Sequence, residues 1–256
     1  MNTEKETIIR VENLTAAYGE TVIIDNISFD VCKGEIFVIL GGSGCGKSTL
    51  LKQMIGLYRP ASGKVLISGQ DIVSAEGDER LSILRKIGVS YQSSALFGSM
   101  TLHENIRLPL EEFTNLNQSA MDLIVLMKLQ LVGLKGSENR MPSELSGGMQ
   151  KRAAIARAMA LDPQIIFLDE PSAGLDPITS ADLDQLILSL ARNMKITFVI
   201  VTHELPSIYT VADKVIMLDK RVKKIVAEGK PQDLRDHSEN PWVRQFFNRE
   251  VSSKVS

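Results

Sequence analysis

The sequence predicts an α/β protein with a mostly parallel sheet core, an antiparallel β subdomain and a helical subdomain. Three observations carry that expectation. Glu35–Leu40, Ile165–Leu168 and Ile196–Val201 are short, uninterrupted apolar runs. Such runs suit strands covered on both faces, as in a parallel sheet. A buried helical segment would read alike, but the flanking glycines, prolines and β-branched residues favour strand. Between the last two runs, Leu183, Leu186, Ile187 and Leu190 recur at the spacing of one helical face, behind Asp176 as a cap and Pro177 in the first turn. Strand, helix and strand in that order form a βαβ unit. Lastly, Ile8–Val31 reads as antiparallel strands turning near Gly19, and residues 93–161 read as mostly helical.

The remaining elements follow along the chain. The run Glu35–Leu40 ends in glycines and leads into Leu50, Leu51, Met54 and Ile55 at helical spacing. Thr101-Leu102-His103-Glu104 is a capping-box pattern that should start a helix. Met121–Leu134, apolar apart from Asp122, Lys128 and Gln130, reads as a core helix. From Glu239, the residues Trp242, Val243, Phe246 and Phe247 predict a short helix with an apolar face, followed by a polar end. The expected organisation is one domain over 1–238, with its helical subdomain at about 93–161, and a C-terminal helix and tail over 239–256.

Composition sets the bounds. The chain has 256 residues, enough for a sizeable core, and its 44% hydrophobic and 23% charged residues are ordinary for a globular protein. Lys plus Arg number 29 against 31 Asp plus Glu, a net charge of −2. That balance lacks the basic excess of a nucleic-acid binder, so no nucleic-acid partner is expected. Two cysteines, Cys32 and Cys45, exclude a disulfide scaffold and fit a reducing compartment. Met1–Arg10 does not read as a secretory signal, and no apolar run approaches the roughly 18 residues a membrane span needs. Work at a membrane would go through a partner.

Gly41-Gly42-Ser43-Gly44-Cys45-Gly46-Lys47-Ser48, followed by Thr49, fits the phosphate-loop pattern G-x-x-x-x-G-K-[ST]. Glycines let backbone N–H groups turn inward around phosphate oxygens. Lys47 brings positive charge to the β- and γ-phosphates, Ser48 can ligate Mg²⁺, and the helix that begins there points its positive end at the anion. Cys45 occupies a variable position and reads as filler, although its oxidation could block the loop. A second apolar run, Ile165–Leu168, ends in Asp169 and Glu170. Asp169 is the expected Mg²⁺ ligand, and Glu170 is placed to polarise an attacking water.

Leu145-Ser146-Gly147-Gly148-Met149-Gln150 resembles the LSGG-x-Q signature of the ATP-binding cassette family, and the likeness extends over roughly residues 8–235. The resemblance implies a P-loop NTPase of ABC type that hydrolyses ATP with Mg²⁺. Tyr18 matches the aromatic that stacks on adenine, Gln92 the Q-loop glutamine and a further Mg²⁺ contact, Ser172–Asp176 the D-loop, and His203 the switch histidine. Ser146 with the N–H groups of Gly147 and Gly148 would open a helix over Met149–Ala160 and make a second anion site. The family uses that site across a head-to-tail homodimer, where one subunit's signature covers the γ-phosphate on its partner. Lys47, Glu170 and His203 are thereby the expected catalytic residues, and Asp176 an ATP contact.

A finer resemblance is to the ATPase subunits of bacterial MCE-type phospholipid transport systems. It rests on Gln92–Phe97, Met141–Glu144, Met149 with Lys151-Arg152, Asp176–Thr179 and Trp242–Phe247. It implies a peripheral subunit at the cytoplasmic face of the bacterial inner membrane. The partners would be an integral membrane permease docking near residues 93–110 and an MCE-domain lipid-binding protein. Nine residues follow Phe247, so any C-terminal arm embracing a neighbouring subunit would be short. Two alternatives stay open: the same ATPase serving amino acids, a metal ion or lipoprotein release, and a soluble cassette ATPase without a transport role.

Overall fold

The computed structural model describes residues 6–249. The polar end expected after residue 249 and the first five residues of the segment excluded as a secretory signal lie outside them. The chain forms two compact units: one runs to Ala75 and resumes at Val199, and the other is Glu76–Phe198.

In the first unit, β1 (Thr7–Tyr18) and β2 (Thr21–Cys32) form the expected antiparallel pair, and Gly19 turns between them. Strand β3 (Ile36–Gly41) is buried at every residue and leads into helix α1 (Lys47–Met54). Glu35 stays outside the strand because its carboxylate accepts from Cys32 N at 2.8 Å. Strand β4 (Ser62–Ile67) pairs antiparallel with β1 and with the short β5 (Gln70–Asp71).

The second unit opens with α2 (Gly77–Leu84) and β6 (Ile87–Ser90). Helices α3 (Leu102–Phe113), α4 (Gln118–Leu131) and α5 (Gly147–Ala158) follow, with a single 3-10 turn at Pro142–Glu144 before α5. Strand β7 (Ile165–Asp169) pairs parallel with β6 and leads to α6 (Pro177–Met194). Strand β8 (Thr197–Val201) is buried throughout. The first unit then resumes with α7 (Leu205–Val211), β9 (Lys214–Asp219), β10 (Lys224–Gly229), α8 (Pro231–His237) and α9 (Pro241–Asn248). Strand β9 runs parallel to β3 and antiparallel to β10. Parallel pairs in β3–β9 and β6–β7, beside the antiparallel β2–β1–β4 ladder, are the α/β arrangement the apolar runs predicted.

Local signals set the helix starts. Thr101 caps α3 as half of a capping box, accepting from Glu104 N at 3.2 Å while its own N–H donates to the Glu104 carboxylate at 2.7 Å. Asp176 caps α6 and Pro177 occupies its first turn. Two expectations are corrected. Helix α4 is a core helix on one face only: Met121, Val125, Lys128 and Leu129 are buried, while Leu123, Leu126, Met127 and Leu131 are exposed. The mostly helical region expected from residue 93 opens instead with a non-helical stretch, containing Gln92 at its start, between β6 and α3. That stretch makes two backbone turns of its own, Ser94 N to Tyr91 O at 2.8 Å and Met100 N to Phe97 O at 3.1 Å, and side chains hold the rest. Asn105, fully buried in α3, donates to Phe97 O at 3.1 Å, Met100 O at 3.0 Å and Thr101 O at 3.0 Å, and accepts from Phe97 N at 2.8 Å.

Asn105→Ala removes the side-chain partner of Phe97 N and Met100 O, at about 1–3 kcal/mol each, so unfolding free energy should fall by ~2 kcal/mol or more in a denaturant titration. A fall below ~0.5 kcal/mol would mean that water replaces the amide without loss.

Candidate functional site

The first unit gathers the glycine-rich loop, Tyr18 and the segment of His203. At Gly41 the backbone of β3 turns at φ 148°, and a Cβ there would lie 2.5 Å from Leu218 O and 2.4 Å from Cys45 Sγ. Only glycine fits so close an approach. Gly46, in the left-handed region, is the N-cap of α1, and no side chain caps that helix. Its first-turn N–H groups therefore face the loop, as an anion site requires. Lys47 Nζ donates to Gly41 O at 2.8 Å and Gly42 O at 3.2 Å, which folds the ammonium over the loop. Ser43, Gly44 and Ser48 are exposed along it. Cys45 is buried, and burial raises its thiol pKa against the opposing charge of Lys47. Tyr18, 53% exposed at the end of β1, places its hydroxyl 3.3 Å from Thr49 Oγ1, so the aromatic stands beside the loop. His203 lies between β8 and α7, largely exposed, with Nε2 3.7 Å from Glu204 Oε1.

The second unit gathers Asp169, Glu170, Gln92 and the Leu145–Gln150 signature. Asp169 ends β7. Glu170 follows it at φ 48°, a left-handed conformation that a glutamate adopts only under local constraint. Ser146 caps α5, accepting from Met149 N at 3.3 Å, so α5 starts at Gly147, two residues before the start expected from the sequence. A Cβ on Gly148 would lie 2.4 Å from Thr179 Cγ2 at the head of α6, which explains the glycine there. Asp176 accepts from Ile178 N at 3.1 Å and Thr179 N at 3.0 Å, and its hydrogen bonds to Thr179 hold its carboxyl below the usual range.

The loop residues fit a nucleotide phosphate: a glycine cradle, a helix start without a side-chain cap and one ammonium turned over it. Fold and loop together define a P-loop ATPase. The chain belongs to the ABC transporter family, whose model matches residues 24–173. A probable ribonucleotide transport ATP-binding protein of Mycobacterium leprae is 46% identical over 94% of this chain, which spans 68% of that protein. An intermembrane phospholipid transport system ATP-binding protein, MlaF, of Haemophilus influenzae is 40% identical over 98% of this chain and 94% of its own length. Among solved structures, a dimeric ATP-binding cassette in a post-hydrolysis state with ADP and Pi superposes with a TM-score of 0.78, at 32% identity, over 87% of this chain and 98% of that one. The protein is an ABC transporter ATPase.

Sequence reasoning missed the groups that hold the Gln92 stretch. Lys151, buried in α5, donates to Gln92 O, and Arg157 donates to Ala95 O while its guanidinium lies 4.7 Å from the Phe97 ring centroid. Burial lowers the pKa of Lys151, and the nearby charges of Glu170 and Asp169 oppose that shift. The one available signal was a basic pair directly after the signature, which had no structural reading in one dimension.

Lys151→Met removes a charge-assisted hydrogen bond worth about 1.5–3 kcal/mol. Amide exchange across Tyr91–Met100 should quicken, as read by hydrogen–deuterium mass spectrometry. Unchanged protection would show that Lys151 does not hold this stretch.

Proposed function

We propose that this chain is the ATP-hydrolysing subunit of a transporter that moves phospholipid between the inner and outer membranes, working with a permease and an MCE-domain lipid-binding protein. The observation that carries the reading is the 40% identity to an intermembrane phospholipid transport ATPase, over 98% of this chain and 94% of that one. The subunit would sit peripherally on the cytoplasmic face of the inner membrane; among the described residues no helix is long and apolar enough to cross a membrane.

The residue roles follow from their chemistry. The N–H groups of Gly41–Thr49 and the Lys47 ammonium bind the β- and γ-phosphates. Tyr18 stacks on adenine. Ser48, Gln92 and Asp169 are the proposed ligands of Mg²⁺, which when bound supplies charge neutralisation at the phosphates. Glu170 accepts a proton from the attacking water, and His203 orients the γ-phosphate. Ser146, Gly147, Gly148 and Asp176 present a capped helix start to the nucleotide of a second copy in a head-to-tail dimer. The permease docks near residues 93–110, where a groove of about 470 Å³ is lined by Tyr91, Ala95, Phe97, Phe113, Arg157 and Leu161. The Gln92 stretch borders it, so a change at the phosphates can reach the permease through that loop.

A second reading, ribonucleotide as cargo, is favoured by the 46% identity to a protein of that description. Purification of the Glu170→Gln protein from its native membranes with ATP separates the two. A co-purifying permease, MCE-domain protein and phospholipid support the lipid reading. A different permease with bound ribonucleotide overturns it, and ribosomes or DNA-repair proteins without membrane components overturn transport altogether.

Glu170→Gln should bind ATP normally and hydrolyse it at least ~10²-fold more slowly in a steady-state phosphate-release assay. Near-normal turnover would remove Glu170 from the proton-accepting role. Lys47→Ala should lose ATP binding by calorimetry, whereas unchanged affinity would contradict the phosphate-loop assignment.

A further inference from the structure

The second unit brings Gln92, Lys151, Asp169 and Glu170 to one end of a strand pair. Strands β6 and β7 run parallel with Ser90 opposite Leu168. Both chains leave the sheet at that end: Gln92 stands two residues past Ser90, and Glu170 two residues past Leu168, with Asp169 between. Helix α5 packs against β6 and carries Lys151 to the same place. The Lys151 ammonium is buried and donates to Gln92 O. Burial lowers its pKa, and the charges of Glu170 and then Asp169 act against that shift. One cation is therefore hydrogen-bonded to the Gln92 backbone and lies within the field of both carboxylates.

The rest of that helix makes the charge conspicuous. Ala153, Ala154, Ile155 and Ala156 are buried on α5 with no polar side chain among them. A buried ammonium with one neutral acceptor is costly, and a side chain that only filled space there would need no charge. The two carboxylates offset that cost. The attraction is mutual, so the ammonium that Gln92 O fixes also biases where the carboxylates lie.

We propose that Lys151 is a positioning residue for ATP hydrolysis: fixed in place by the Gln92 carbonyl, its ammonium orients the Glu170 carboxylate toward the attacking water, so that a shift of the Gln92 stretch changes the rate of the chemical step. The inference rests on the reading of Glu170 as the group that accepts the water proton.

The test uses the full chain with ATP and Mg²⁺. A charge-assisted contact of this kind corresponds to about 10-fold or more in rate. Lys151→Met should lower kcat by about that factor and leave KM for ATP within ~2-fold, because the phosphate loop keeps all its own groups. Lys151→Arg, which keeps a cation and a donor, should recover most of kcat. The decisive comparison is made in Glu170→Gln. In that background Lys151→Met should cost less than ~2-fold in single-turnover phosphate release, since the carboxylate it orients is gone. A loss that came only from disturbed packing would be the same in both backgrounds. Should Lys151→Met fail to fold, Lys151→Gln takes its place in both. Wild-type kcat in Lys151→Met overturns the proposal, as do equal losses with and without the Glu170 carboxylate. Glu170→Gln alone separates the two levels. Near-normal turnover there removes the base on which the inference rests, whereas slow turnover there beside wild-type kcat in Lys151→Met removes the role of Lys151 alone.

Discussion

The close passage of the β3 terminus against β9 is the constraint on which the nucleotide loop depends. Gly41 can run within contact of the Leu218 carbonyl only because it has no Cβ, and only in a backbone conformation that other residues avoid. That turn ends a wholly buried strand and delivers the chain to the start of α1, where Gly46 leaves the first N–H groups without a side-chain cap. A larger residue at Gly41 would push the loop off β9 and misdirect both the amides and Lys47. The parallel pairing of β3 with β9 is therefore as much a part of the phosphate cradle as the glycines are.

The second unit meets a comparable problem by different means. Its candidate site residues Gln92 and Glu170 stand on two short connections, one after β6 and one after β7. The first makes no helix or strand of its own, so beyond two backbone turns its carbonyls and amides are satisfied by Asn105, Lys151 and Arg157. Such a stretch is held in one place by a few polar contacts and can move when one of them changes. The second connection carries Glu170 in a left-handed conformation beside the β7 terminus. Strain of this sort persists where the surroundings dictate a side-chain direction at the expense of backbone comfort.

Much of the site was legible because its chemistry is local. The glycine-rich loop, the Asp169-Glu170 pair, the capped signature and the Asp176-Pro177 helix start are contiguous in the chain, and each is dictated by backbone needs within a few residues. The strands were legible for a related reason: a run buried on both faces carries no polar residue to interrupt it. Helix α4 was misread on the same logic, since an apolar composition says nothing about which side finds a neighbour. Leu123 and Met127 face solvent, while Val125 and Leu129 are covered.

The sequence by itself determined the fold class, the loop that cradles phosphate and the order of the motifs, because strand burial, helix capping and glycine turns are settled by nearest neighbours. Only the tertiary structure decided which distant side chains serve those motifs. Arg221 on the Trp242 indole and Lys151 on Gln92 join residues far apart along the chain. No periodicity or spacing encodes such contacts. They arise when folding brings helix ends and strand ends together, and a buried polar group must then find its partner among whatever has arrived.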